Sequence, residues 1–175
     1  MQTMAKSFRS RYLLTLSLLL AGPCLAADNS VVSTVALTIP PLASIAQLDD
    51  IDLGDWSGSK GMSAETSVCV WSSSRAYAVT AMSTNPVDGD FTLAGPNASH
   101  IIYTVEWTDA SANPRALAHG QSTGSLASPA KSAKCSDADA LAAPTKFKVS
   151  IHQRELARAT TGRYSDTLQL VVSAE

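Results

Sequence analysis

A serine flanked by glycines, Gly120-Gln-Ser-Thr-Gly124, is the first feature of this sequence that could carry out chemistry. The spacing matches the nucleophile elbow G-x-S-x-G, in which the serine occupies a strained turn between a strand and a helix. An acidic residue and His152 follow it, in the chain order that such a triad requires. However, the flanking residues are small and polar, and Pro129 disfavours a helix after the serine. We therefore interpret the motif as a flexible loop and expect no enzymatic activity. A hydrolase that uses Ser122 is the alternative.

Histidine and aspartate can bind metals, but here neither is spaced for it. The histidines lie in three separate segments, at His100, His119 and His152, and we expect all three at the surface. Four aspartates between residues 49 and 55 do not follow the spacing of a calcium loop. Leu48, Ile51 and Leu53 instead predict a strand there. No metal and no cofactor is predicted.

The tryptophans offer another kind of chemistry, because an indole ring can stack on a sugar. Trp107 alternates in phase with Ile101, Tyr103 and Val105, which predicts that it belongs to the core. Trp56 and Trp71 have no such pattern, and a sugar-stacking role for them stays open.

The N-terminus has the features of a secretory signal peptide over residues 1–26. Three basic residues precede an apolar run over residues 12–21 that is too short to span a bilayer comfortably. Small residues then place the cleavage site after Ala26. A lipoprotein acylated at Cys24 is the alternative, which Pro23 disfavours because acylation needs a small residue before the cysteine.

The charge balance excludes two classes of partner. The chain has 13 basic and 15 acidic residues, and the signal peptide contains three of the basic ones. The mature chain therefore has ten basic against fifteen acidic residues, a net charge of −5. Nucleic acid and anionic membranes require a basic patch, and no second apolar run reaches membrane-spanning length.

Two cysteines remain after processing, Cys69 and Cys135. In an exported protein an isolated pair predicts a disulfide, and neither cysteine lies in a Cys-x-x-Cys or Cys/His cluster that would favour zinc. A loop of this length predicts a stabilisation of roughly 4 kcal/mol.

Apolar residues at period two, with turn residues between the runs, predict seven to nine short strands. A long surface loop is expected over residues 120–141, and a link over 153–161. This pattern is typical of an all-β, immunoglobulin-like β-sandwich over residues 42–175. The runs cover residues 45–56, 68–71, 76–82, 91–93, 101–107, 115–119 and 147–151.

An amphipathic strand is predicted near the mature N-terminus, within residues 27–41. Val31, Val35, Leu37 and Ile39 share one face, and Pro40-Pro41 ends the run. Two interpretations remain open. The segment is either the first strand of the domain's own sheet or a strand donated to another molecule.

The closing segment, residues 162–175, predicts a half-buried strand. Tyr164, Leu168, Leu170 and Val172 alternate with polar residues. Asp166 interrupts the inward row near the turn, where its carboxylate can accept hydrogen bonds from free backbone N–H groups. No further strand follows to cover this one, so we expect a strand from elsewhere to complete the sheet.

The closing segment Gly162-Arg-Tyr-Ser-Asp-Thr-Leu-Gln-Leu-Val-Val172 resembles the terminal G-x-Y-x-D-T-L strand of secreted chaperone–usher pilus subunits of the spore coat protein U type. The segments Leu48-Asp-Asp-Ile-Asp-Leu-Gly54, Ser67-Val-Cys69 and Tyr103-Thr-Val-Glu-Trp107 also resemble segments of that family.

The resemblance implies an incomplete immunoglobulin-like sandwich that is completed by donor-strand exchange. A periplasmic chaperone supplies the missing strand first, and the N-terminal extension of the next subunit then replaces it. An outer-membrane usher, the chaperone and neighbouring subunits are the implied partners, and the implied destination is a cell-surface fimbria that supports adhesion or biofilm formation. The expected donor side chains are Val31, Val35, Leu37 and Ile39, and the expected acceptor-groove side chains are Tyr164, Leu168, Leu170 and Val172.

A single domain implies a shaft or minor subunit rather than a tip adhesin. The alternative is a free-standing secreted or periplasmic β-sandwich that binds a ligand or carbohydrate and closes its sheet with its own N-terminal strand.

Overall fold

The computed structural model describes residues 34–128, 130–135 and 145–175. The chain divides into two units, Met1–Leu37 and Thr38–Glu175. Of the first unit, residues 34–37 are described, and they are exposed and belong to no strand. The predicted signal peptide and Val31 lie outside the described residues.

The regular structure described in the second unit is mostly antiparallel strand, so the prediction of an all-β fold is confirmed. One six-residue helix interrupts the strands. The elements are β1 Ala43–Ala46, β2 Met62–Ser72, β3 Ala76–Ser83, β4 Phe91–Ala94, β5 His100–Thr108, β6 Pro114–Leu117, β7 Leu126–Ala127, β8 Thr145–Ile151, α1 Gln153–Arg158 and β9 Leu168–Ala174.

The strands of the described residues form two sheets. The larger has the order β1-β2-β8-β5-β4, with β6 also paired to β5, and the smaller has the order β7-β3-β9. In the smaller sheet, β3 and β9 are in register from Tyr77 opposite Ala174 to Ser83 opposite Leu168.

The core takes apolar side chains from both sheets. Trp107 of β5 and Tyr77 of β3 are both fully buried, and the Trp107 indole N–H donates to the Tyr77 hydroxyl at 2.9 Å. This bond gives two buried polar groups a partner and joins the two sheets through the middle of the core. The prediction that Trp107 is a core residue is confirmed.

A disulfide joins Cys69 of β2 to Cys135, with a Cα–Cα distance of 5.8 Å. Side chains from β1 and the residue after it reach the same segment. Ser44 Oγ donates to the Ala133 carbonyl at 3.3 Å, and Gln47 Nε2 donates to the Cys135 carbonyl at 3.0 Å. The disulfide therefore anchors the chain that lies against β1.

The strand predicted over residues 45–56 is wrong for most of its length, since β1 ends at Ala46. Gln47 has a φ of 63° and Gly54 a φ of 72°, values that a strand does not accommodate. Between them, the Asp52 carboxylate accepts from the Gly54 N–H at 2.9 Å. Ile51 and Leu53 still pack half-buried against the core, so their apolar character reflects burial rather than a strand.

The strand predicted within Val31–Ile39 is not formed in the described residues 34–39, and its donation to another molecule stays a prediction. A strand needs a ladder partner, and none of the described residues pairs with this segment. The first strand of the domain is β1, which begins two residues after Pro41.

Some of the remaining sequence predictions are confirmed and others are corrected. The strand predictions over residues 68–71, 76–82, 91–93, 101–107 and 147–151 are confirmed. The link over residues 153–161 contains α1, and the loop over 120–141 contains β7, whose Leu126 is buried. His119 is half-buried rather than exposed, with its ring edge-on to Phe91.

Candidate functional site

The closing strand β9 is an edge strand. Among the described residues it forms a ladder with β3 alone, and its other edge carries no ladder partner. Backbone N–H and C=O groups on such an edge can pair with a strand from another chain. The other edge of the same sheet differs, because it is the two-residue strand β7.

Burial falls sharply between β3 and β9 on the face that points to the core. Val79 and Ala81 of β3 are fully buried. Val172 and Leu170 stand directly opposite them on β9, and both are only half-buried. Residues opposite each other in a ladder share a face of the sheet. The core is therefore covered under β3 and left partly open under β9.

A strand of the other sheet borders the same opening. Residues of β1 and β9 approach within 8 Å between Cα atoms, although no ladder joins the two strands. β1 pairs with β2 on its other side, where Ile45 is opposite Val70. Ile45 is half-buried and packs against the main core cluster, as do the inward side chains of β9. We call this unpaired, apolar boundary between the two strands the seam, defined by Ile45, Leu168, Leu170 and Val172.

Three of the four predicted acceptor side chains lie in one row. Leu168, Leu170 and Val172 form the inward face of β9 and belong to the seam. Tyr164 does not, because β9 begins four residues later. The predicted alternation of the closing segment is thus confirmed from residue 168 onward.

Tyr164 occupies a corner ahead of the strand. Its hydroxyl donates to the Thr160 carbonyl at 2.9 Å and lies 2.9 Å from Ser99 Oγ. Hydrogen bonds from Ser99 and Thr160 lower the pKa of this phenol. Its ring lies so close to Gly95 that a Cβ at that position would overlap it. Tyr164 therefore fixes the turn before β9 and requires a glycine beside it.

Asp166 accepts hydrogen bonds from several side chains near the seam. It accepts from Tyr103 Oη at 2.6 Å, Thr84 Oγ1 at 2.9 Å and Asn85 Nδ2 at 2.9 Å. The sequence suggested backbone donors for this carboxylate, whereas the donors identified are side chains from two other segments. No sequence signal linked these residues, since Tyr103 and Asp166 are 63 positions apart.

The charge state of Asp166 follows from these contacts. Burial acts to raise its pKa, but hydrogen bonds from Ser83, Tyr103, Thr84 and Asn85 together outweigh burial, and the pKa is lowered. The Tyr103 phenol shows the converse, since burial and then the neighbouring Asp166 raise its pKa. The pair is thus a carboxylate that accepts a bond from a neutral phenol.

The predicted donor side chains are exposed where they are described. Val35 is 93% exposed, Leu37 83% and Ile39 78%. Large aliphatic side chains at this exposure, two residues apart, favour an interaction surface. The chain becomes fixed at Leu42, whose N–H donates to Ser73 Oγ and whose carbonyl accepts from the Ser73 N–H, both at 2.9 Å.

Among the residues that the structure describes, those with other candidate chemistry form no site, and the acidic residues between Ser122 and His152 lie outside the described ranges. Ser122 is exposed, and its flanks form no strand-to-helix corner, because β7 rather than a helix follows it. In the described ranges, no three His, Cys, Asp or Glu residues are grouped to hold a metal ion. No helix of the described residues is long and apolar enough to cross a membrane.

A shallow hollow of about 790 Å³ lies beside α1, and its charged and histidine side chains are Lys60, Asp90, His152, Arg154 and Glu155. Neither Trp56 nor Trp71 lines it, and both are half-buried. The hollow therefore lacks the aromatic surface on which a sugar would stack.

No protein-family model matches this chain, and no curated protein matches its sequence.

Proposed function

We propose that this chain is a structural subunit of a bacterial surface fimbria assembled by the chaperone–usher route, and that a strand from another polypeptide completes an immunoglobulin-like sandwich at the seam. The observation that carries the proposal is the fall in burial from Val79 and Ala81 to the half-buried Val172 and Leu170 at an unpaired strand edge. An incoming strand would cover this apolar row and satisfy the open backbone edge in one step.

Residues 31–39, which we call the apolar segment, have the spacing that the seam requires. Val35, Leu37 and Ile39 repeat at every second residue, and so do Leu168, Leu170 and Val172. In an extended strand, alternate side chains lie about 6.6 Å apart. Three donated side chains would therefore match the length of the inward row of β9. Val31 extends the donor pattern but lies outside the described residues.

Pro40 and Pro41 favour donation to another molecule over self-closure. For residues 35–39 to enter the seam of their own domain, the chain would have to reverse between Ile39 and β1. Two consecutive prolines disfavour that reversal, because proline is unfavourable at the third position of the common tight turn and forces the residue before it to be extended.

The proposed partners follow from this chemistry. A periplasmic chaperone would occupy the seam first, the apolar segment of a neighbouring subunit would then replace it, and an outer-membrane usher would export the assembly to a cell-surface fimbria. The net charge of −5 expected for the mature chain fits a protein that contacts other proteins rather than nucleic acid.

The test compares the mature chain with a variant that lacks residues 28–39. We expect the mature chain to form concentration-dependent polymers on size-exclusion chromatography, and the shortened chain, produced with its chaperone, to remain monomeric. A synthetic peptide of residues 28–41 should bind the shortened chain and raise its melting temperature, whereas the same peptide with Leu37→Asp should not.

The opposite result supports the free-standing β-sandwich. If the mature chain is a stable monomer at high concentration and removal of residues 28–39 unfolds it, the segment closes its own sheet and the fimbrial proposal is wrong.

A further inference from the structure

An edge strand has a ladder partner on one side alone, so contacts at the ends of the strand are needed to fix its register. β9 pairs with β3 alone among the described residues, and its seven residues follow a crossing between the two sheets. Ser165 pairs with Ala94 of β4 in the larger sheet, through N–H···O bonds of 2.9 and 3.0 Å in both directions. From Leu168 onward the chain belongs to the smaller sheet. Asp166 lies in this crossing.

The contacts of Asp166 join both sheets to the start of β9. Its Oδ2 accepts from Tyr103 of β5, in the larger sheet, at 2.6 Å. Its Oδ1 accepts from Thr84 and Asn85, which directly follow β3 of the smaller sheet, at 2.9 Å each. Asp166 forms no ion pair within the described part of the chain. Both carboxylate oxygens therefore accept from neutral donors, one in β5 and two in the residues that directly follow β3.

The backbone beside Asp166 is held by the same residues. The Thr84 N–H donates to the Thr167 carbonyl at 3.0 Å, and the Thr167 N–H donates to Thr84 Oγ1 at 3.3 Å. A slip of β9 by one residue would turn Leu168 and Leu170 away from the core. A slip of two residues would preserve the inward face but break every bond to Asp166. The network therefore selects one register.

We infer that Asp166 is a positioning residue for the seam: by binding Tyr103, Thr84 and Asn85, it holds β9 in register while the outer edge of that strand has no partner. This inference rests on the proposed function for its consequence, that the seam is preorganised for an incoming strand. Preorganisation lowers the ordering cost of binding, so loss of the anchor slows capture of the donor strand.

The test uses Asp166→Asn, which keeps one acceptor oxygen and loses the other, and Tyr103→Phe, which removes one hydroxyl and keeps the ring. Asp109→Asn is the matched control. Asp109 also accepts several bonds, including one from the Ala127 N–H at 3.0 Å, but it anchors β7 instead of β9. Amide hydrogen exchange and the association rate of the peptide of residues 28–41 are both measured on the monomeric mature chain of each variant, at concentrations below those at which it polymerises.

We expect Asp166→Asn to speed exchange in β9 by about tenfold relative to β2 and β8, and to slow peptide association by a similar factor. Tyr103→Phe should also speed exchange in β9 and slow peptide association, by smaller factors than Asp166→Asn. The inference is overturned if exchange in β9 rises no more than in β2 and β8, or if Asp109→Asn has the same effect on β9. If β9 loosens selectively but the unmodified chain, shown to be monomeric, captures no peptide, the anchor stands and the proposed function fails.

Discussion

At the scale of single residues, Asp166 shows how a side chain of the closing segment is read differently from sequence and from structure. Its position after a turn suggested contacts to backbone N–H groups. The structure gives it side-chain donors, Tyr103, Thr84 and Asn85 among them, from segments that are distant in the chain. A hydrogen-bond partner 63 or more positions away leaves no local spacing pattern, so this part of the site was beyond prediction from one sequence.

The lowered pKa of Asp166 predicts an acid-dependent loss of stability. The folded state binds this proton less tightly than the unfolded state, where an aspartate titrates near pH 3.9. The stabilisation is therefore present above about pH 4 and is lost as the pH falls through the folded pKa. The only titratable group with a hydrogen bond to Asp166 in the described residues is Tyr103, whose raised pKa keeps it neutral throughout this range.

Urea unfolding at several pH values measures this effect. The difference in unfolding free energy between the unmodified chain and Asp166→Asn should be largest near neutral pH and should shrink below about pH 4. A difference that stays constant down to pH 2 would falsify the assignment of the acid sensitivity to Asp166.

The disulfide gives a second prediction for single residues. Cys69 and Cys135 close a loop with a sequence separation of 66. Replacing both with serine should lower the free energy of unfolding by about 2–4 kcal/mol, because the open chain gains conformational entropy in the unfolded state. Urea titration measures this, and dithiothreitol provides the control. Reductant should destabilise the unmodified chain by a similar amount and leave the double variant unchanged.

At the scale of elements, the two faces of β9 predict opposite responses to the same substitution. Leu170 points into the seam and packs against the core, whereas the adjacent Val171 is 43% exposed on the other face. Leu170→Asp would place a charge in the apolar row and should abolish binding of the peptide of residues 28–41. Val171→Asp should leave binding within about twofold, because exposed substitutions away from special contacts have small effects.

Fluorescence anisotropy of the labelled peptide measures both variants, with circular dichroism to establish that each is folded. Equal loss of binding in the two variants would mean that the peptide does not bind at the inward face of β9.

Strands that alternate were predictable from sequence, and irregular apolar segments were not. β5 and β8 alternate apolar and polar residues except at Ile102 and Thr145, and burial alternates through the length of both strands. The segment around Ile51 and Leu53 has a similar pattern but forms no strand, because positive φ angles at Gln47 and Gly54 and an aspartate turn bend the backbone. Period-two alternation indicates which side chains face the core, whereas strand formation also needs a partner in register.

The apolar segment before Pro40 illustrates the same limit. Its alternation predicted a strand, and residues 34–39 belong to none. Sequence left open whether the partner of this segment is its own sheet or another molecule. Among the described residues, β9 has an unpaired edge, and no strand pairs with this segment. The proposal of donation depends on these two observations together.

At the scale of the whole molecule, the proposed interface is heterologous, since an apolar segment of one copy enters the seam of the next. Such an interface does not form symmetric dimers, and it generates open fibres when the rotation from one copy to the next does not close a ring. Each molecule then has one donating and one accepting part, and each part can be disabled separately. Removal of residues 28–39 disables donation, and Leu170→Asp disables acceptance.

Mixing the two disabled chains gives a prediction that depends on which chain donates its segment and which chain accepts it. Neither variant should polymerise alone. In the mixture, the chain that carries Leu170→Asp retains its donor segment, and the shortened chain retains its seam, so one contact forms and no further growth is possible. We expect a 1:1 heterodimer as the end point, measured by size-exclusion chromatography with light scattering and by native mass spectrometry. A symmetric interface would instead leave both variants unable to pair. Self-closure would leave the unmodified chain monomeric and the shortened chain unfolded, so no heterodimer would form.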